Sequence, residues 1–180
     1  LSPIQSDFWS SSNFTDIEVS ESNANIVWVG NYMSENSRPF VSTDGGLTFT
    51  PTETYKDYPN MGPIIALNTH PTEDSTAFAQ FAVDGLPKIL KTKNLGQTWI
   101  DITEFDQSSG SSGNGFPNTV TEGLICFPND PDHIWVATEI GIIESLNGGV
   151  SWSLLNSNLP LVKILDMKIQ DDQVIIATYG

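Results

Sequence analysis

One short pattern recurs along the chain and limits what it can become. Ser42-Thr43-Asp44-Gly45-Gly46-Leu47-Thr48-Phe49 returns as Thr92-Lys93-Asn94-Leu95-Gly96-Gln97-Thr98-Trp99 and again as Ser145-Leu146-Asn147-Gly148-Gly149-Val150-Ser151-Trp152. Each copy offers a hydroxyl, an Asp or Asn two residues on, a Gly, a second hydroxyl and an aromatic ring. Asp-Gly or Asn-Gly between apolar runs is a strong hairpin signal, because Gly enters the left-handed region without steric cost. An Asp or Asn side chain can accept hydrogen bonds from turn amides. The following hydroxyl can close the loop back onto it, and the ring is placed to open a strand. Three copies in register define a repeat.

The text around each bend reads strand, turn, strand, with little helical periodicity. Asp16–Ser20, Ile26–Gly30, Pro39–Ser42 and Leu47–Pro51 make a first set of four, with Asn31–Ser37 read as a loop. Ile64–Asn68, Ala77–Phe81, Lys88–Thr92 and Thr98–Ile102 make a second, and Gly123–Phe127, Ile134–Thr138, Ile142–Ser145 and Ser151–Leu155 a third. Val162–Ile169 and Gln173–Thr178 start a fourth. Four antiparallel strands in about 40 residues is the blade unit of a propeller. The expected organisation is a leading segment 1–13, where Trp9 can tuck against the first blade, then blades at 14–51, 63–102 and 120–155 and the start of another at 162–180. The serine- and glycine-rich stretch from Ser108 to Gly115 reads as a flexible surface loop.

These bends resemble the Asp-box, or BNR, repeat of sialidases, sortilin-type receptors, xyloglucan-cleaving hydrolases and secreted bacterial surface proteins. The resemblance runs from about residue 14 to the end. It implies an all-β chain of about three and a half four-stranded blades, part of a larger β-propeller, since a closed ring takes four to eight. It also implies that Ser42, Asp44, Gly46, Phe49, Thr92, Asn94, Gly96, Trp99, Ser145, Asn147, Gly149 and Trp152 are structural, lying away from the ligand face. The same repeat serves enzymes, receptors and assembly factors, so it does not name a function.

Composition narrows the partners. Twenty-two acids against seven bases give a net charge of −15, with Arg38 the single arginine. Phosphate backbones and anionic membrane surfaces would be repelled. The excess of acid suits a soluble secreted protein, with a cation or a basic partner as the alternative. No apolar run approaches a membrane span. Cys126 stands alone in an apolar run and reads as a buried, inert thiol. Asn13-Phe14-Thr15 is a glycosylation sequon, relevant only to a eukaryotic secretory pathway. His70 and His133 read as turn residues.

If the bends mark one end of each blade, the opposite end carries the loops between second and third strands and the crossings between blades. That places Tyr32, Tyr55, Tyr58, Asp84, Phe116, Glu122 and Glu139 as candidate ligand-binding residues, with Glu35, Asp57, Phe81, Phe105 and Asp106 nearby. Rings beside carboxylates suit sugar recognition. A sialidase-like site would need an arginine cluster, which one arginine cannot supply. A xyloglucanase-like site would need two opposed carboxylates, for which Glu122 and Glu139 are candidates without a supporting motif. No catalytic residue, metal cluster or cofactor motif is assigned. The expectation is a non-catalytic binding or scaffold module, secreted or at the cell surface, engaging a glycan or protein alongside the rest of its own polypeptide, without nucleic acid or membrane insertion. The alternatives are part of a propeller glycoside hydrolase and an exported substrate of a bacterial secretion system.

Overall fold

The computed structural model describes residues 16–156, 158–159, 161–171 and 173–179. The leading segment 1–13, with Trp9, and the whole sequon Asn13-Phe14-Thr15 lie outside them. No helix occurs among the described residues. The strands are β1 (Asp16–Val19), β2 (Val27–Gly30), β3 (Tyr32–Met33), β4 (Phe40–Ser42), β5 (Thr50–Pro51), β6 (Gly62–Thr69), β7 (Ala77–Phe81), β8 (Ile89–Thr92) and β9 (Ile100–Asp101). Then come β10 (Phe105–Asp106), β11 (Ser111–Ser112), β12 (Thr121–Phe127), β13 (Asp130–Thr138), β14 (Gly141–Ser145), β15 (Ser153–Leu154), β16 (Ile164–Gln170) and β17 (Gln173–Thr178).

They assemble as sheets in the order β1-β2-β4-β5, β3-β6-β7-β8-β9, β12-β13-β14-β15 and β16-β17, with a small β10-β11 ribbon. Meanders of four antiparallel strands are the unit of a β-propeller, and that is the fold class of this chain. The described residues divide into two compact units. One runs to Ala79 and includes Lys91–Ile100; the other holds Gln80–Leu90 and the residues from Asp101 on.

In the first unit the core gathers Trp28, Met33, Met61, Ile64, Leu67 and Phe78, all essentially inaccessible. Each such side chain contributes roughly 1.5–3 kcal/mol on burial. Continuous burial along Val27–Gly30 marks a strand covered on both faces, which is why it reads as an apolar run. Gly30 packs closely there, since a Cβ would stand 3.1 Å from the Ile64 and Leu67 side chains, which would have to shift slightly. In the second unit Ala137, Ile142, Ile164 and Met167 form a core flanked by Ile125, Trp135, Leu155, Val162 and Ile176. Cys126 is buried within β12.

All three bends share one set of hydrogen bonds, and differ in that the Thr48 hydroxyl donates to Asp44 whereas Asn94 and Asn147 donate to the hydroxyls of Thr98 and Ser151. The hydroxyls of Ser42, Thr92 and Ser145 donate to Oδ1 of Asp44, Asn94 and Asn147 at 2.7, 3.0 and 3.0 Å. The same hydroxyls accept the amides of Gly46, Gly96 and Gly149 at 2.9, 3.0 and 2.9 Å. Oδ1 then accepts the amides of Thr48, Thr98 and Ser151 at 2.8, 2.9 and 2.9 Å. The amides of Gly45, Leu95 and Gly148 reach back to the carbonyls of Asn25, Ser75 and Asp132, fixing each bend at or just past the first turn of its own sheet. Leu95 takes this position with φ of 54°, where the other two bends use Gly.

The structure departs from the sequence reading in places. The rings do not open strands, because β5, β9 and β15 begin one residue after Phe49, Trp99 and Trp152. Tyr32 and Met33, read as loop, pair with Pro63 and Gly62 as β3. The serine- and glycine-rich stretch is ordered rather than a flexible loop. Phe105 and Asp106 pair with Ser112 and Ser111, and the Asp106 carboxylate gathers the amides of Ser108 and Ser109 at 2.6 and 3.2 Å. Within it Ser112 repeats the bend: its hydroxyl donates to Asn114 Oδ1 and accepts the amides of Asn114 and Phe116. His133 lies in β13 rather than in a turn. His70 is buried in its turn, and its Nδ1 accepts the amides of Thr72 and Glu73 at 3.3 and 3.1 Å.

Candidate functional site

Strand register fixes which residues share an end. In the β12–β15 sheet Thr121 lies opposite Thr138, and Thr138 opposite Gly141, far from the bend at Ser145. In β16–β17 the same end is set by Ile164 against Thr178. This rim end of the second unit collects Asp84, Glu122 and Glu139.

Asp84 Oδ1 accepts Asn118 Nδ2 at 2.6 Å, and Asn118 Oδ1 accepts the Gly85 amide at 3.3 Å, which clips the β7–β8 loop to the crossing before β12. The next residue, Thr119, donates its hydroxyl to Glu139 Oε1 at 3.2 Å. Lys163, just before β16, reaches Glu122 Oε1 at 2.6 Å. The Glu122 carboxylate, first by hydrogen bond and then by charge, holds the Lys163 ammonium above its usual pKa, with the Glu139 charge adding to it. The Lys163 ammonium therefore contacts Glu122 and feels the charge of Glu139 from the next hairpin. Below them Lys88 is buried, donating to the Val83 carbonyl at 2.6 Å with its ammonium 5.4 Å from the Phe105 ring centre. Desolvation pushes the Lys88 pKa down, and the Asp84 charge opposes that shift.

The other candidates fall elsewhere. Phe116 offers no ring to a ligand: it is 3 % exposed and packs edge-to-face on Trp152 with centroids 5.1 Å apart. Phe81 and Phe105 are buried too, because large rings beside the strands fill the core before they fill a site. Tyr32, Tyr55 and Tyr58 belong to the first unit, where Tyr32 is an exposed strand residue and the other two are half-buried.

Sequence reasoning missed a cluster at the opposite end of the second unit. Glu144 Oε1 accepts Trp135 Nε1 at 2.9 Å and sits 2.7 Å from His133 Nε2. Phe127 stacks on His133 with centroids 4.3 Å apart and meets Trp135 edge-on at 5.1 Å. His133 and Phe127 then form one wall of a cleft of about 340 Å³, completed by Pro128, Asn129, Asp130, Ile169, Asp171, Gln173 and Val174. The signal existed in the alternation His133-Ile134-Trp135, but Glu144 joins it only through β13–β14 register. Among the described residues no group of three or more His, Cys, Asp or Glu could hold a metal ion, and no helix is long and apolar enough to cross a membrane.

No protein-family model and no curated protein sequence matches the chain. Solved structures do. An ancestral GH74 enzyme superposes with a TM-score of 0.61 at 13% identity, covering 92% of this chain and 22% of its own. The GH74 xyloglucanase from Xanthomonas campestris gives 0.63 at 14% identity, over 91% of this chain and 26% of that one. YCF48 bound to D1 peptide gives 0.52 at 15% identity, over 78% and 38%. The chain is thus a β-propeller segment by fold, spanning about a quarter of the length of the GH74 structures. At such identities the likeness concerns fold alone.

Proposed function

We propose that the chain is a run of blades from a longer Asp-box β-propeller, secreted or at the cell surface, that works as a non-catalytic binding or scaffold module. The matching hydrogen-bond sets of the three bends support the Asp-box reading. The rim end of the second unit, with Asp84, Asn118, Glu122, Glu139 and Lys163, would engage a glycan or a protein through polar contacts.

The observation that carries the non-catalytic reading is the Lys163–Glu122 contact at 2.6 Å. Glycoside hydrolysis needs one carboxylic acid to protonate a leaving group and a second carboxylate to attack or to activate water. Here Glu122 is engaged by an ammonium and Glu139 by a hydroxyl. A second reading, that the chain is part of a propeller glycoside hydrolase, is favoured by the fold likeness to the xyloglucanase.

Calorimetric titration with xyloglucan oligosaccharides, paired with a reducing-end assay, separates the two. Saturable binding without bond cleavage, weakened in a Glu122→Gln, Glu139→Gln variant, supports the module. Cleavage that disappears in that variant would establish the hydrolase instead.

A further inference from the structure

The cleft beside His133 has no part in the rim-end reading, and its chemistry is specific. Its walls, in the second unit, are the turn Phe127–Asp130 between β12 and β13 and the adjoining ends of β16 and β17 with Asp171. Its lining is mainly apolar, from Phe127, Pro128, Ile169 and Val174, with the Asp130 and Asp171 carboxylates exposed and no Lys or Arg contributing. The Phe127–His133 stack is held rigidly, since Glu144 fixes both His133 and Trp135. Such a cleft offers planar stacking, apolar cover for an aliphatic stem and uncompensated negative charge.

We propose that this cleft docks an arginine side chain from a basic segment of a partner polypeptide. A guanidinium is planar, weakly hydrated and stacks on rings, while its fork suits carboxylates. Phe127, Pro128, Ile169 and Val174 would cover its methylene stem. The volume of about 340 Å³ lies at the small end of ligand pockets and has room for one long side chain. Free arginine fits poorly, because its own carboxylate would face Asp130 and Asp171 with no cation in the lining to receive it. The net charge of −15 steers basic partners toward the surface as a whole.

The test is an NMR titration of the full chain with a short extended peptide carrying one central Arg, a matched peptide with citrulline and free arginine. The Arg peptide should bind saturably, shifting the Trp135 indole N–H and the Ile169 and Val174 amides. Citrulline, isosteric but neutral, should weaken binding about tenfold or more, as should the Asp130→Asn, Asp171→Asn double substitution with an unchanged melting curve. Free arginine should bind more weakly than the peptide. Equal affinity for the citrulline peptide, free arginine binding as tightly as the Arg peptide, or shifts confined to residues away from the cleft would each overturn the proposal. So would a neutral oligosaccharide that moves the Trp135 signal where the Arg peptide does not.

Discussion

Trp152 donates its indole N–H to the carbonyl of Ile102 at 2.7 Å, joining the third bend to the end of β9 in the preceding sheet. Trp99 makes the corresponding bond to the Glu53 carbonyl at 2.9 Å, just past β5. The ring that ends each of these bends is therefore a clamp on the previous sheet. Asn114 reinforces the third one, with Nδ2 donating to the carbonyls of Ile102 and Gly149 at 3.0 Å each.

Replacing Trp152 with Phe keeps an aromatic ring and deletes the donor. With the Trp152 bond buried, the loss should be about 1–3 kcal/mol in urea unfolding. Trp99→Phe should cost less, because the Glu53 carbonyl lies in a more exposed setting. A Trp152→Phe chain as stable as the parent would remove the clamp from the account.

The bend glycines should rank by what lies beside them. A Cβ on Gly96 would stand 2.4 Å from Thr52 Cγ2, and one on Gly149 2.8 Å from Ile102 Cβ. On Gly46 the nearest described atom is 3.9 Å away. All three have left-handed φ, of 76°, 98° and 86°. Gly46→Ala should therefore show only the backbone penalty, about 1–2 kcal/mol. Gly96→Ala and Gly149→Ala should add overpacking of about 1–3 kcal/mol each. Equal losses at all three sites would show that the neighbouring strands do not press on these bends.

Only the first bend has a titrating group at its Asx position. Hydrogen bonds from the Thr48 hydroxyl, the Thr48 amide and Ser42 lower the Asp44 pKa to about 2 from 3.8. A depressed carboxylate pKa stabilises the fold above the unfolded value and ceases to do so as pH falls through the folded one. The melting temperature of the parent should thus fall between about pH 4 and pH 2 more steeply than that of Asp44→Asn, which matches Asn94 and Asn147. Parallel pH profiles for the two proteins would contradict this.

Thr121 presents a buried hydroxyl oxygen with no hydrogen-bond partner among the described residues. Valine has the same shape without the polar atom. Thr121→Val should stabilise the chain by about 1 kcal/mol in chemical denaturation. A loss of stability of similar size would mean that the hydroxyl is bonded in solution.

The fold was legible where its causes are local. A hydroxyl, an Asx and a Gly at fixed spacing satisfy one another within eight residues, so Ser42, Thr92 and Ser145 announce their bends without reference to the remainder. The ordered path of Ser108–Gly115 was hidden, because composition alone says flexible while Ser112 and Asn114 act through partners as distant as Gly149. Phe116 was misplaced for the same reason, since only the packed Trp152 ring shows why it is buried. At the rim, the sequence offers Glu122 and Glu139 as two acids among many. That Lys163 lies beside them depends on β16 packing next to β12, a relation between strands some forty residues apart.

Amide hydrogen exchange measures most directly whether the bends organise these sheets. The amides of Gly96 and Gly149 donate to buried hydroxyls, so they should exchange as slowly as the central strands β7 and β13, and Ser145→Ala should release Gly149 while leaving Gly96 protected. Exchange of both glycines at the rate of an open loop in the parent chain would contradict the account.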